Sequence, residues 1–278
     1  MEFFQAFDSL FNIYVYFIIF FMSNENLPTD LVGKKIFFLY PTGSVQNQVL
    51  TELVQQEYEV YVIKDHARIA RALKKYTDSI VYINIDDGMP FVEWEKWVSG
   101  VVTATPDVKI GILTSNSDEE FRDKCVKNFH VTCGIFSLKF DMSKVAEKII
   151  EALKPMDVKG RRKYLRANTE RETTATVNMP HGGDFIKGTI KDISVVGISC
   201  TFETDPLLKK NSLVKNIQIR LQTILIKAEA VAIGSRDSDN GEKIYVLLFT
   251  QNVESDVRIK IHKYIQTNLQ SKMDSELK

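Results

Sequence analysis

The stretch Lys154–Arg166 reads KPMDVKGRRKYLR, and the hydrophobic period changes across it. Before it, short β-rich runs alternate with amphipathic stretches. The runs are Lys35–Tyr40 (KIFFLY), Glu59–Ile63 (EVYVI), Ser79–Ile85 (SIVYINI), Lys109–Thr114 (KIGILT) and Val131–Leu138 (VTCGIFSL). Between them, Val45–Gln56, His66–Tyr76, Phe91–Thr103, Asp118–Asn128 and Ser143–Leu153 carry apolar residues at three-to-four spacing, the mark of a helical face. Ser117 followed by Asp118, Glu119 and Glu120 predicts a helix start capped by Ser117. Five strand–helix units in succession imply parallel strands joined by helical crossovers, a doubly wound α/β sheet.

After the basic stretch no long helical stripe follows until the end. Thr173–Met179, Phe185–Ile193, Gly197–Phe202, Val214–Leu221, Leu225–Ser235 and Lys243–Thr250 read as strands. Turn signals separate them: Pro180-His-Gly-Gly183, Val196-Gly197 and Ser238-Asp-Asn-Gly241. Six short strands with such turns predict a small antiparallel barrel. Val257, Ile261 and Ile265, within Val253–Leu269, predict a terminal helix packed on it. The expected layout is an extension over 1–30, an α/β domain over 31–153, an Arg-rich ligand-binding linker over 154–168, and a barrel with its helix over 169–278.

The N-terminal run Leu10–Met22 (LFNIYVYFIIFFM) is shorter than the ~20 residues that span a bilayer. Glu2 precedes it with no Lys or Arg, which does not suit a signal peptide. The reading favoured is a cytoplasmic protein starting at Met22, with no membrane association; a weak anchor is the competing one. The chain has 278 residues, 44% of them hydrophobic, and Lys+Arg equals Asp+Glu at 36 each. A neutral chain argues against a generic nucleic-acid binder while leaving room for a local basic patch.

The chemistry concentrates in two places. Arg161, Arg162 and Arg166 present planar forks of donors that suit phosphate oxygens and the O6/N7 edge of guanine. Asp192, Ser194 and Gly197, at a strand end, offer short acceptors, a hydroxyl and a position for close backbone approach. Alone, the first is a solvated basic linker and the second a hairpin turn. In this order, before and within a barrel pattern, they form a pair.

That pair resembles the PilZ signature, RxxxR followed by [DN]xSxxG: Arg162 and Arg166 supply the arginines, and Asp192, Ser194 and Gly197 the second motif. The resemblance covers roughly Lys154 onward and implies binding of cyclic di-GMP on the outside of a six-stranded barrel. It implies that the arginine loop meets guanine edges and phosphates, and that the second motif meets the other guanine. Arg161, directly before RxxxR, favours by the same analogy an intercalated ligand dimer. The two-domain layout is similar to that of spirochaete PilZ receptors, and outputs in motility, virulence and gene expression are within the family's reach.

The N-terminal half resembles a response-regulator receiver. Asp86-Asp-Gly-Met-Pro90 follows the third strand, Thr114-Ser115 the fourth and Lys139 the fifth. Where a receiver carries an acidic pair after its first strand, this chain has Tyr40-Pro41-Thr42, so a degenerate receiver-like domain is expected.

An enzyme is not expected, and no catalytic residue or cofactor is assigned. There is no HExxH, no GxSxG and no Gly-rich phosphate loop, and the four histidines are isolated. Cys125, His130 and Cys133 fit no common zinc spacing, so no metal site is assigned. The rival reading is a nucleic-acid-binding regulator whose basic linker grips the backbone. The expected partners are cyclic di-GMP and an unidentified downstream protein or nucleic acid.

Overall fold

A computed structural model describes residues 33–169, 174–238, 240–250 and 254–278. The expectations for residues 1–30, including Met22 as a start, lie outside these residues, as do Thr173 and Val253. Among the described residues no helix is long and apolar enough to cross a membrane.

Five parallel strands form the first sheet: β1 (Ile36–Leu39), β2 (Val60–Ile63), β3 (Ile80–Asn84), β4 (Lys109–Thr114) and β5 (Val131–Ser137), in the order β2-β1-β3-β4-β5. Five helices connect and cover them: α1 (Leu50–Gln55, after a π-helical turn Val45–Val49), α2 (His66–Lys75), α3 (Phe91–Ala104), α4 (Glu119–Asn128) and α5 (Met142–Leu153). Strand β1 is apolar throughout because both its faces are covered. Ile36 and Phe38 pack with α1 and α5, while Phe37 and Leu39 pack with α2, α3 and α4. Cys125 and Cys133 fall in these two opposite layers, which separates them across the sheet. The cap of α4 is Asp118 rather than the expected Ser117: its carboxylate accepts the Glu120 N–H at 3.2 Å.

The second unit is a closed antiparallel barrel. Its strands are β7 (Ala175–His181), β8 (Asp184–Ser194), β9 (Gly197–Phe202), β10 (Leu213–Leu221), β11 (Ile224–Asp237) and β12 (Lys243–Phe249), closed by β8 against β9. A two-residue strand, β6 (Ala167–Asn168), follows the arginine stretch directly and pairs with Ile193 and Asp192 of β8. Pairing thus draws the arginines against the strand that carries the second motif.

Helix α6 (Ser255–Glu276) is longer than the sequence suggested and does not pack on the barrel alone. Ile261, Tyr264 and Ile265 enter the barrel core, whereas Met273 and Leu277 enter the α/β core. Its 22 residues cover about 33 Å at ~1.5 Å per residue, enough to bridge the two units. Polar contacts fix the far end. Arg68 Nη2 reaches Asp274 Oδ1 at 2.9 Å, and Lys75 Nζ and the Tyr76 hydroxyl donate to Glu276 at 2.7 and 2.6 Å. The Gln270 side-chain amide accepts from Val62 N–H at 2.8 Å and donates to Val62 C=O at 3.0 Å.

Candidate functional site

A cleft of about 550 Å³ opens where the α/β domain, the linker, the barrel and α6 meet. Arg162, Tyr164 and Arg166 line it from the linker, and Asn168, Asp192 and Arg236 from the barrel. The volume lies in the range of small-molecule sites. The cleft faces the N-terminal ends of β1 and β2, the opposite end of the strands from Asp86.

Two half-buried guanidiniums share this space. Burial lowers the affinity of Arg162 for its proton, against the pull of Asp192 and Glu59. Burial takes Arg166 down to about 10; Asp192 opposes this and the charge of Arg162 adds to it. Burial pushes the Asp192 carboxyl up, against a hydrogen bond from the Ser199 hydroxyl and the charges of Arg166, Arg162 and Arg236. Desolvated cations gathered around one carboxylate leave an excess of positive potential, and an anion entering the cleft would relieve it.

Of the residues singled out in the sequence, Arg162, Arg166 and Asp192 come together here. Arg161 is exposed and lies outside the lining. Ser194 is buried and serves the turn: its hydroxyl donates to the Gly197 carbonyl and accepts from the Val196 N–H, both at 3.4 Å. Gly197 is required by close approach and not by a positive φ, since a Cβ there would sit 2.4 Å from the Leu247 carbonyl oxygen. Both residues hold the β8–β9 connection that presents Asp192, and neither lines the cleft.

Several lining residues escaped the sequence reading. Arg236 sits near the end of β11, and only the barrel register brings it to Asp192. Glu57 occupies a turn at φ +64°, and its carboxylate accepts the Leu165 N–H at 2.6 Å. Lys272 and Glu276 come from the far half of α6. That half was detectable: Ile265, Leu269, Met273 and Leu277 continue the apolar stripe at a spacing of four.

Beyond the C-terminal ends of the strands, Asp86 is already engaged. Its carboxylate accepts the Thr114 hydroxyl at 2.6 Å and the Ser115 N–H at 2.5 Å. Lys139 reaches Ser117 at 3.4 Å. The residues here do not fit the Mg²⁺ site of a receiver. Tyr40 and Pro41 follow β1 in place of carboxylates, and a Cβ on Gly88 would meet the Tyr40 ring at 2.6 Å. Among the described residues no group of three His, Cys, Asp or Glu side chains is placed to hold a metal.

No protein-family model matches the chain, and no curated protein matches it. Similar solved structures include the PilZ domain with c-di-GMP of YcgR from Escherichia coli, at 16% identity over 42% of this chain and 96% of that one, TM-score 0.36. The MrkH–c-di-GMP complex of K. pneumonia is similar at 25% identity over 43% of this chain and 57% of that one, TM-score 0.36. A signal receiver domain of an HD domain-containing protein from Pseudomonas fluorescens Pf-5 is similar at 14% identity over 45% of this chain and 97% of that one, TM-score 0.35.

Proposed function

We propose that this protein is a non-enzymatic receptor for cyclic di-GMP, which binds in the interdomain cleft through Arg162, Arg166 and Asp192. The observation that carries the reading is the gathering of two desolvated guanidiniums and one carboxylate in a single cleft. Guanidinium forks suit both phosphate and the guanine O6/N7 edge, and a carboxylate accepts from guanine N–H groups. Ser194 and Gly197 support Asp192 from the turn, and Arg161, exposed beside the cleft lining, is assigned to a second, stacked nucleotide by the family resemblance alone. Because the cleft has walls from both units, an occupant fixes their arrangement and so alters the surface offered to a downstream protein or nucleic acid. On this reading the motif pair and two-domain layout resemble those of spirochaete PilZ receptors, and the outputs proposed are motility, virulence or gene expression.

Titration calorimetry of the full chain with cyclic di-GMP, beside cyclic di-AMP and GTP, tests the reading. Selective, saturable binding supports it, and the stoichiometry separates one nucleotide from two. Absence of binding to folded protein overturns it. A second reading, a nucleic-acid-binding regulator, draws on Arg161 and Lys163, both exposed on the linker and outside the cleft lining. It requires affinity for nucleic acid that falls steeply with salt and responds to cyclic di-GMP.

A further inference from the structure

The cleft has a second charged wall that the arginine motif does not include. Seven basic and four acidic side chains line it. Among the basic ones, Lys34 precedes β1 in the α/β domain, and Lys272 lies on the part of α6 packed against that domain. Lys35, their neighbour, is committed elsewhere. Its ammonium binds Glu59 and lies 5.5 and 4.9 Å from the ring centroids of Tyr61 and Tyr76. Lys34 instead pairs at 3.1 Å with Asp78, whose side chain is 60% exposed, a solvent-screened contact that costs little to exchange. Lys272 is exposed.

A cyclic dinucleotide carries two phosphodiester groups on opposite sides of its ring. Arg162 and Arg166 line the cleft from the linker, both close enough to Asp192 to feel its charge, and on the receptor reading they take one of these groups. We propose that the site is composite, with Lys34 and Lys272 binding the phosphodiester that faces away from the barrel. This rests on the receptor reading above and extends it: the α/β domain and the end of α6 become part of the ligand site. A ligand held from both walls acts as a tie between the two units, which gives the receiver-like domain a role that needs no chemistry at Asp86.

The test is titration of the full chain with cyclic di-GMP, comparing wild type with Lys34→Gln, Lys272→Gln and the double variant. Lys263→Gln is the control, an exposed α6 lysine outside the lining. Each single variant is expected to weaken binding roughly three- to tenfold, the double variant more, with a shallower salt dependence. Lys263→Gln is expected to match wild type. Lys272→Glu, which leaves the Lys34–Asp78 pair in place, is expected to weaken binding further than Lys272→Gln. If wild type binds and the double variant binds equally well, the composite site is overturned while the receptor reading stands. If folded wild type does not bind, both fall.

Discussion

Glu57 and His262 lie 205 residues apart in sequence and 2.8 Å apart in space. One Glu57 carboxylate oxygen faces the His262 Nε2. The other carboxylate oxygen holds the Leu165 N–H, so one side chain pins both α6 and the arginine linker to the α/β domain. Both side chains are largely buried, at 13% and 10% exposure. Glu57→Ala is expected to cost about 2 kcal/mol or more, the range for buried charge-assisted hydrogen bonds. Trp94 and Trp97 report only on the α/β domain, whereas far-ultraviolet dichroism reports on both units. In urea, wild type should show coincident transitions by the two probes, and Glu57→Ala separated ones. Coincident, unshifted transitions in the variant would show that this contact does not couple the units.

Arg162→Ala and Arg166→Ala should each lower affinity for cyclic di-GMP at least about tenfold, since one charge-assisted hydrogen bond is worth ~1.5–3 kcal/mol. Arg166→Lys should rescue little, because an ammonium lacks the planar fork. Calorimetry checks both. Dissociation constants equal to wild type would remove the arginines from the site.

Asp192 makes a pH prediction. Its folded carboxyl is raised above the ordinary 3.8, chiefly by burial. A raised acid holds its proton more tightly when folded, so its contribution to stability is complete below 3.8 and is lost as pH rises through the raised value. Wild type should therefore lose stability relative to Asp192→Asn across that window. Urea midpoints measured at successive pH values test the sign. A wild-type midpoint that rises or stays constant relative to Asp192→Asn as pH rises would contradict the burial of this carboxyl.

Gly197→Ala should destabilise the barrel by about 1–3 kcal/mol, as overpacking against fixed backbone does. The added methyl meets the Leu247 carbonyl oxygen and, at 3.2 Å, the Leu248 Cα, neither of which has a rotamer to change. A thermal midpoint equal to wild type would mean that the β9–β12 pairing yields at no cost.

Acetyl phosphate with Mg²⁺ should not label Asp86. No carboxylates follow β1 to hold the cation, and the aspartate oxygens already receive Thr114 and Ser115. A phosphorylated intact mass, absent in Asp86→Asn, would restore receiver chemistry to this domain.

Much of the architecture was legible because period reports burial. Lys109–Thr114 and Gly197–Phe202 read from the sequence have the bounds of β4 and β9. The arginine motif was legible because adjacent residues carry it, and β6 then sets it beside Asp192. What stayed hidden depends on register and on distant packing. Arg236 belongs to no motif, Glu57 looks like an ordinary turn residue, and the polar partners that Gln270, Asp274 and Glu276 meet across the domain boundary leave no mark beside the apolar stripe of α6. Asp118 displaced Ser117 as a cap because both residue types cap helices and only the chain's entry angle separates them.

Strand β2 stands at the margin of its sheet, and there Gln270 occupies the outward N–H and C=O of Val62 as a neighbouring strand would. Bare strand margins invite pairing with other chains. During synthesis α6 is made after everything it covers, so a nascent chain carries an open margin until its last two turns dock. Truncations that remove those turns would therefore leave the soluble fraction by self-association, even with every residue of the arginine wall intact.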